Sequence, residues 1–304
     1  SSTSYKVDRP AAPYLKWERN DQFNAGVDFG ILNGRIRLTA DWYSKLSKDI
    51  LLDLAQPTHM GFPSLLMNSG EIKNTGIEFT ISADPFTGKG FSWHTDVTLS
   101  HNKGTFNSIP TANHRQQQAG SFQNQLFQMI EGEKLGTFWG YTFGGIWQED
   151  EVNAPFVDAN GQTNGKTNGE VYKVVAGNSK YVDTNKDGVL NDADQGIIGC
   201  GQPTFNWGWN NSFNYKNFDF SFFMVGFHGF DIYNATHQMG FNTVSGQNMA
   251  AVTPMRDFLN RWTPTNTNTD VPGFVQGGTE NKVFSSRFVE NGSFIKMKSI
   301  TLGY

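Results

Sequence analysis

Phe23-Asn24-Ala25-Gly26-Val27-Asp28-Phe29-Gly30-Ile31-Leu32-Asn33-Gly34-Arg35-Ile36-Arg37-Leu38-Thr39-Ala40-Asp41-Trp42 is the stretch on which the fold turns. Phe23, Ala25, Val27, Phe29 and Ile31 fall on one side, and Gln22, Asn24, Gly26, Asp28 and Gly30 on the other. That is the period of two of a strand, not the 3.6 of a helix. Asn33-Gly34 then supplies two residues that tolerate positive φ, the pair favoured in a type I′ hairpin turn. Beyond it the alternation restarts, with Ile36, Leu38, Ala40 and Trp42 opposite Arg35, Arg37, Thr39, Asp41 and Tyr43. The reading is a β-hairpin.

The pattern recurs along the chain. Ile77, Phe79, Ile81 and Ala83 alternate with Glu78, Thr80 and Ser82; a turn is expected over Asp84 to Gly90. Phe91, Trp93, Thr95, Val97 and Leu99 then alternate with Ser92, His94, Asp96, Thr98 and Ser100. Phe205 to Tyr215 and Phe218 to Met224 form another such pair about Lys216-Asn217, and Phe294 to Tyr304 closes the sequence in the same rhythm. Gly136 to Trp147, rich in glycine and aromatics, is expected to be a further strand. These strands run to about ten residues, enough for a tilted strand to cross a bilayer. Their polar faces carry Asn, Ser, Thr and Gly more than Lys and Glu, as the interior of a large barrel does. Trp42, Tyr43, Phe91, Trp93, Tyr215, Phe218 and Tyr304 lie near strand ends, where aromatic girdles sit. A soluble β-sandwich would also alternate, so it stays open as the second reading.

Composition supports the barrel. Aromatic residues make up 14% of the 304, with 26 Phe, 9 Tyr and 8 Trp, whereas charged residues are only 17%. Mean hydropathy is nevertheless −0.47, so the apolar residues are interleaved with polar ones rather than massed. The longest apolar stretch, Phe218 to Phe230, is broken by Asp219, Ser221, Gly226, His228 and Gly229, far short of a membrane helix. A net charge of −4 without a basic patch argues against nucleic acid. The single Cys200 excludes an intrachain disulfide. Ser1 to Ser4 show neither the charged n-region nor the apolar h-region of a signal peptide, so none is expected here: either it has been removed or the sequence begins partway through a longer one. Segments 46–70, 103–135, 148–203 and 229–284 are long and polar, and short turns alternating with long loops is the bacterial barrel habit. Counted this way, 148–203 falls on the wrong side of the membrane. Val171 to Val175 is the candidate extra strand that would restore parity.

Several blocks together resemble the SusC/RagA-like branch of TonB-dependent transporters from the Bacteroidetes group. They are Tyr14-Leu15-Lys16-Trp17-Glu18 leading to Asn24-Ala25-Gly26-Val27-Asp28-Phe29; Asn68-Ser69-Gly70-Glu71-Ile72-Lys73-Asn74-Thr75-Gly76-Ile77-Glu78; Tyr181-Val182-Asp183-Thr184-Asn185-Lys186-Asp187-Gly188; Tyr215 to Phe220; and Arg261-Trp262-Thr263-Pro264. The resemblance implies an all-β fold: an antiparallel transmembrane β-barrel portion with long extracellular loops. It would supply about eight to ten strands of the family's roughly 22-stranded barrel. Residues 1–304 would be one partial barrel domain, with the plug domain and the final strands absent. It implies a bacterial outer-membrane location in contact with lipid, and import of oligosaccharide or peptide cargo. A SusD-like surface lipoprotein would be the lid, and the TonB complex would engage only through the missing plug. The alternative is a secreted calcium-binding β-sandwich that binds carbohydrate.

Asp183-Thr184-Asn185-Lys186-Asp187-Gly188-Val189-Leu190-Asn191-Asp192-Ala193-Asp194 follows the spacing of a calcium loop. Asp183, Asn185, Asp187 and Asn191 would offer side-chain oxygens, Val189 its carbonyl, Asp194 the closing carboxylate, and Gly188 the sharp turn. Ca2+ held there would have a structural role; a metal-free, Asx-rich surface loop is the plainer account. Trp147 and Trp262, in or beside long segments, are the candidate ligand-stacking aromatics. Arg35, Arg37, Asp41, Glu78, His94 and Asp96 are assigned to the lumen face. No catalytic constellation is evident: His59, His94, His101, His114, His228 and His237 lack HExxH spacing, and no GxSxG elbow occurs.

Overall fold

The computed structural model describes residues 10–55, 58–62, 64–109, 115–116, 126–241, 256–273 and 283–304. Ser1 to Ser4 and His114 lie outside them. The chain divides into two compact units. One comprises Ser1–Thr137, Cys200–Asp231 and Asn291–Tyr304, and the other Phe138–Gly199 and Ile232–Glu290.

The first unit is built on a seven-stranded sheet. Its strands are β1 (Arg19–Ile31), β2 (Ile36–Lys48), β3 (Glu71–Thr87), β4 (Phe91–Ser108), β5 (Phe205–Tyr215), β6 (Phe218–His228) and β7 (Phe294–Gly303). Spatial order equals chain order, and every neighbouring pair is antiparallel. The register carries one apolar stripe across the whole sheet. Phe29 lies opposite Leu38, Leu38 opposite Ile81, and Ile81 opposite Val97. Val97 then faces Trp209, Trp209 faces Met224, and Met224 faces Met297. One residue of slip in any strand would interrupt the stripe.

Among the described residues no protein element encloses that face: in the stripe Phe29 is 61% exposed and Met297 44%, and beside it on β7 Ile300 is 62% exposed and Leu302 73%. No second sheet of comparable size exists among the described residues; the other sheets have two strands each. A β-sandwich would bury this face, so the sandwich alternative is set aside.

The seven strands also correct the strand count and the parity. Gly136 to Trp147 does not join the large sheet; its two short strands, Thr137–Tyr141 and Phe143–Ile146, pair with Gln195–Cys200 and Ser179–Tyr181. Val171 to Val175 is not a strand. Asn168–Tyr172 is a short α-helix whose Thr167 hydroxyl accepts from the Glu170 amide, and Lys173 ends it at φ 56°. Removing one presumed strand, rather than adding one, restores parity. Residues 32–35, 88–90 and 216–217 then lie at one end of the sheet, and 49–70, 109–204 and 229–293 all join strands at the other.

The turns differ in detail. The last β1–β2 pair is Ile31 and Ile36, so the first turn spans four residues. Positive φ begins at Leu32 (54°) and continues through Asn33 and Gly34. Arg35 ends this turn, and its guanidinium donates to the carbonyls of Asp84 and Pro85 on β3. Asp84 and Pro85 are not in a turn but in a bulge of β3 between Ala83 and Phe86, where a residue without an N–H is tolerated.

The second unit has its own core. Phe258, Val271 and Phe288 cluster there, with Tyr233 packed against them. Ile109 and Leu126 apart, every buried large apolar side chain among the described residues belongs to this unit. One molecule thus carries two kinds of apolar surface, one enclosed by protein and one left open.

Candidate functional site

The sheet's two faces set the chemistry. On the apolar face the rings meet across strands: Trp93 and Phe213 stack at 5.7 Å, Phe213 and Phe220 at 6.1 Å, and Phe218 and Tyr304 lie 4.8 Å apart. On the opposite face polar side chains satisfy one another. Thr39 donates to Asp28 at 2.6 Å. His94 lies between Asp84 (2.7 Å) and Asp96 (3.0 Å), and Arg37 is 3.9 Å from Asp84. Asp41 and Glu78 are register partners on this face. Water or a filled polar interior suits one face, and hydrocarbon the other.

In the second unit, the Asp183–Asp194 loop follows the short strand Ser179–Tyr181. Asp183 Oδ2 accepts from the Gly188 amide and from the Tyr172 hydroxyl, both at 2.8 Å. Its Oδ1 is buried without a hydrogen-bond partner. Asp194, 3% exposed, accepts from the amides of Thr184 (2.8 Å) and Asn191 (3.0 Å). Asp187 accepts from the Val189 amide, Asn185 donates to Asp187, and Asn191 donates to the Val189 carbonyl. The donor types are the hard oxygens Ca2+ prefers, and the orphaned Asp183 Oδ1 suits a cation. Most other donors are engaged with amides of the loop. Among the described residues no three His, Cys, Asp or Glu side chains converge at metal-binding distance.

Tyr172 is the member of this cluster that sequence reasoning missed. Burial, and then its hydrogen bond to Asp183, push its hydroxyl pKa upward, so it stays a donor. Its place in a helix, inside a stretch read as a strand, hid it.

The two tryptophans part company. Trp147 is 7% exposed, with Lys180 Nζ 4.8 Å above its ring and Tyr172 at 5.7 Å. Its neighbour Lys180 is in turn held by Glu151 at 2.6 Å. Trp262 is half-buried and lines an open groove of about 810 Å3 with Gln148, Glu149, Asp150, Asn153, Pro264, Thr267 and Asn268. Its indole N–H donates to Gln148 at 3.0 Å.

Residues 2–168 match the family model described as TonB dependent receptor-like, beta-barrel. The chain is 32% identical over 294 residues to TonB-dependent receptor P3 of Formosa agariphila, covering 95% of the chain and 27% of that protein. It is 27% identical over 308 residues to TonB-dependent receptor SusC of Bacteroides thetaiotaomicron, covering 99% of the chain and 28% of that protein. The chain thus spans less than a third of the curated relatives it matches. Among solved structures, that of the RagAB peptide transporter superposes with a TM-score of 0.73 at 21% identity, over 96% of this chain and 29% of that one. Its curated relatives are receptors, not enzymes. More than half of the sequence matches one family model, and the sheet offers a lipid-type face on one side and a polar face on the other; the chain belongs to the TonB-dependent receptor β-barrel family of the bacterial outer membrane.

Proposed function

We propose that this chain forms part of the wall and outer rim of a TonB-coupled importer, within a longer protein that carries oligosaccharide or peptide cargo across the outer membrane. The observation that carries this reading is the segregation of connections. Short turns lie at one end of the sheet, and every long segment joins it at the other, as in barrels whose long loops face outward. The likeness to SusC and to the RagAB peptide transporter supports import. A SusD-like lipoprotein would cover the outer opening, and TonB would act through a plug elsewhere in the protein. The wall is tested with single cysteines in a Cys200→Ser background in membranes. Cysteines at Phe79, Val97 and Phe213 should react with lipid-soluble probes, and those at Thr80, Thr98 and Ser212 with water-soluble ones. Equal labelling of both sets in water would sink the membrane assignment. Import is tested by deleting the protein and measuring growth on a panel of oligosaccharides and peptides. Growth unchanged on all of them would remove the transport reading.

The Asp183–Asp194 loop, on this proposal, takes Ca2+ as a structural ion. Asp183 would be the leading ligand, supported by its buried, partnerless Oδ1. Asn185, Asp187, Asn191, Asp194 and the Val189 carbonyl would complete the oxygen set. Calcium titration by calorimetry should show binding that Asp183→Asn weakens, and a chelator should expose the loop to protease. If Ca2+ neither binds nor protects, the amides alone hold the loop.

A further inference from the structure

Near the long-segment end of β3 and β4 the apolar face gives way to a polar square. Lys73 lies opposite Thr105, and Thr75 opposite Lys103. All four share the face of Phe79 and Leu99, because the register between these strands runs unbroken from Ile72 to Ala83. The lysines occupy one diagonal of the square, where Cβ atoms lie about 7–8 Å apart, close enough for two ammonium groups to meet over one ligand. Both lysines are exposed, and among the described residues no hydrogen bond or ion pair engages either of them or either threonine hydroxyl. The other charged groups at this end of the face are already paired. Lys48 is held by Asp21 at 2.8 Å and Arg19 by Asp49 at 2.9 Å, while Glu71 accepts from Asn107 at 2.7 Å. The height of the square matters as well. Leu46, the partner of Lys73 on β2, lies ten residues beyond Ile36. That is about 34 Å of strand, or about 25 Å along the membrane normal at a barrel's usual tilt, which is the height of a barrel's apolar band.

We propose that this square binds the phosphate of an anionic lipid in the outer leaflet. The inference rests on the membrane-wall reading and adds a site to its lipid side. Lysine seats phosphate as a point charge, and each threonine hydroxyl can donate to a phosphate oxygen. Two unpaired ammonium groups would be costly in hydrocarbon, whereas at headgroup level each gains from an anionic surface. Towards the short turns, Ile81 and Phe79 on β3 and Val97 and Leu99 on β4 offer acyl chains a continuous apolar strip. Head and tails thus meet complementary surface on the same two strands. At this end β5 and β6 present Phe205, Trp207 and His228 on the same face and no lysine, so the site is local to β3 and β4 rather than a general basic belt. An acidic protein segment or free phosphate would match the charge but leave the carbon strip unused.

The test titrates the full-length protein, in an uncharged detergent, with dioleoyl phosphatidic acid and reads binding by native mass spectrometry. Dioleoylglycerol, with the same tails and no phosphate, and inorganic phosphate are the comparison ligands. Phosphatidic acid should be retained in preference to the diglyceride, and less firmly as salt rises. Lys73→Gln and Lys103→Gln should each weaken retention about fivefold, and together about thirtyfold. Lys73→Arg with Lys103→Arg should keep it, and Lys45→Gln, on the lumen face of β2, should leave it unchanged. Semi-native gels check that each variant folds; if the double glutamine variant does not, the two single ones carry the test. The proposal is overturned if the diglyceride is held as firmly, if inorganic phosphate displaces the lipid at equal concentration, if Lys45→Gln weakens retention as much, or if the glutamine variants retain the lipid. Cysteines at Phe79 and Val97 that label from lipid while the lysine variants change nothing would leave the wall standing and remove only this site. Cysteines there that label only from water would remove the wall reading itself.

Discussion

Asn211 is a polar residue on the apolar face, 1% exposed, and its neighbours explain why it is there. Trp93 donates its indole N–H to Asn211 Oδ1 at 2.9 Å, and Trp209 donates to Thr95 Oγ1 at 3.0 Å. An indole N–H aimed at hydrocarbon would be left unsatisfied. Turned inward to an acceptor within the sheet, each tryptophan shows the lipid only carbon. Replacing Asn211 by Leu should strand the Trp93 N–H and destabilise the barrel by about 1–3 kcal/mol. Urea unfolding in lipid vesicles, followed by tryptophan fluorescence, measures this; an unchanged midpoint would mean that Trp93 finds another partner. The alternation of β5 already assigns Asn211 to the apolar side, but its reason is not legible in the sequence, because Trp93 lies 118 positions away. Glu170 is a smaller case. Hydrogen bonds from the Thr167 amide and hydroxyl hold its carboxyl pKa below the usual value. A lowered folded pKa stabilises above the unfolded value and fades as pH falls through the lowered one. Hydrogen exchange over residues 167–173, corrected for intrinsic rate, should rise over that acidic range. In Glu170→Gln it should be raised already at neutral pH; exchange indifferent to the substitution would show that this bond does not hold the turn.

The seven strands were readable because period two survives any tertiary context that has one polar and one apolar side. What misled was local composition. Val171 to Val175 is β-branched, yet Thr167 and Glu170 stand at the spacing of a capping box, and the helix they start wins over strand propensity. Asp84-Pro85 reads as a turn, but Arg35 reaches across to their carbonyls and the pair becomes a bulge in a continuing strand. The candidate site was legible only in part. The Asp183–Asp194 spacing was visible, whereas Tyr172 and the Gln148 lock on Trp262 arise from contacts distant in sequence. Glycine placement across β2 and β3 follows the same logic of partners. A Cβ at Gly76 would come within 2.4 Å of the Tyr43 ring, which lies directly across the pair. Gly76→Val should displace Tyr43 and its hydrogen bond to Asn102 and lower the yield of heat-modifiable barrel on semi-native gels. Full yield would show that the ring has somewhere else to go.

At the scale of the molecule, apolar residues divide between two solvents. The second unit encloses its own, and the sheet of the first leaves its own exposed for lipid. The two arrangements need different supports, since a protein core requires packing density and a lipid face requires only that no backbone group go unpaired. The β4–β5 ladder shows how they coexist: it pairs without a break from Phe91–Tyr215 to Ser100–Asn206, although 109–204 intervene in the chain. Exchanging 110–203 for a short polar hairpin should therefore leave a heat-modifiable, membrane-inserted barrel while abolishing uptake. Loss of the inserted species would show that the ladder depends on what it skips. If it does not, the inserted segment is free to drift while the sheet stays under selection for the bilayer. A lineage could then exchange inserted segments within an inherited framework, and interleaved stretches of one gene would record their histories at different speeds.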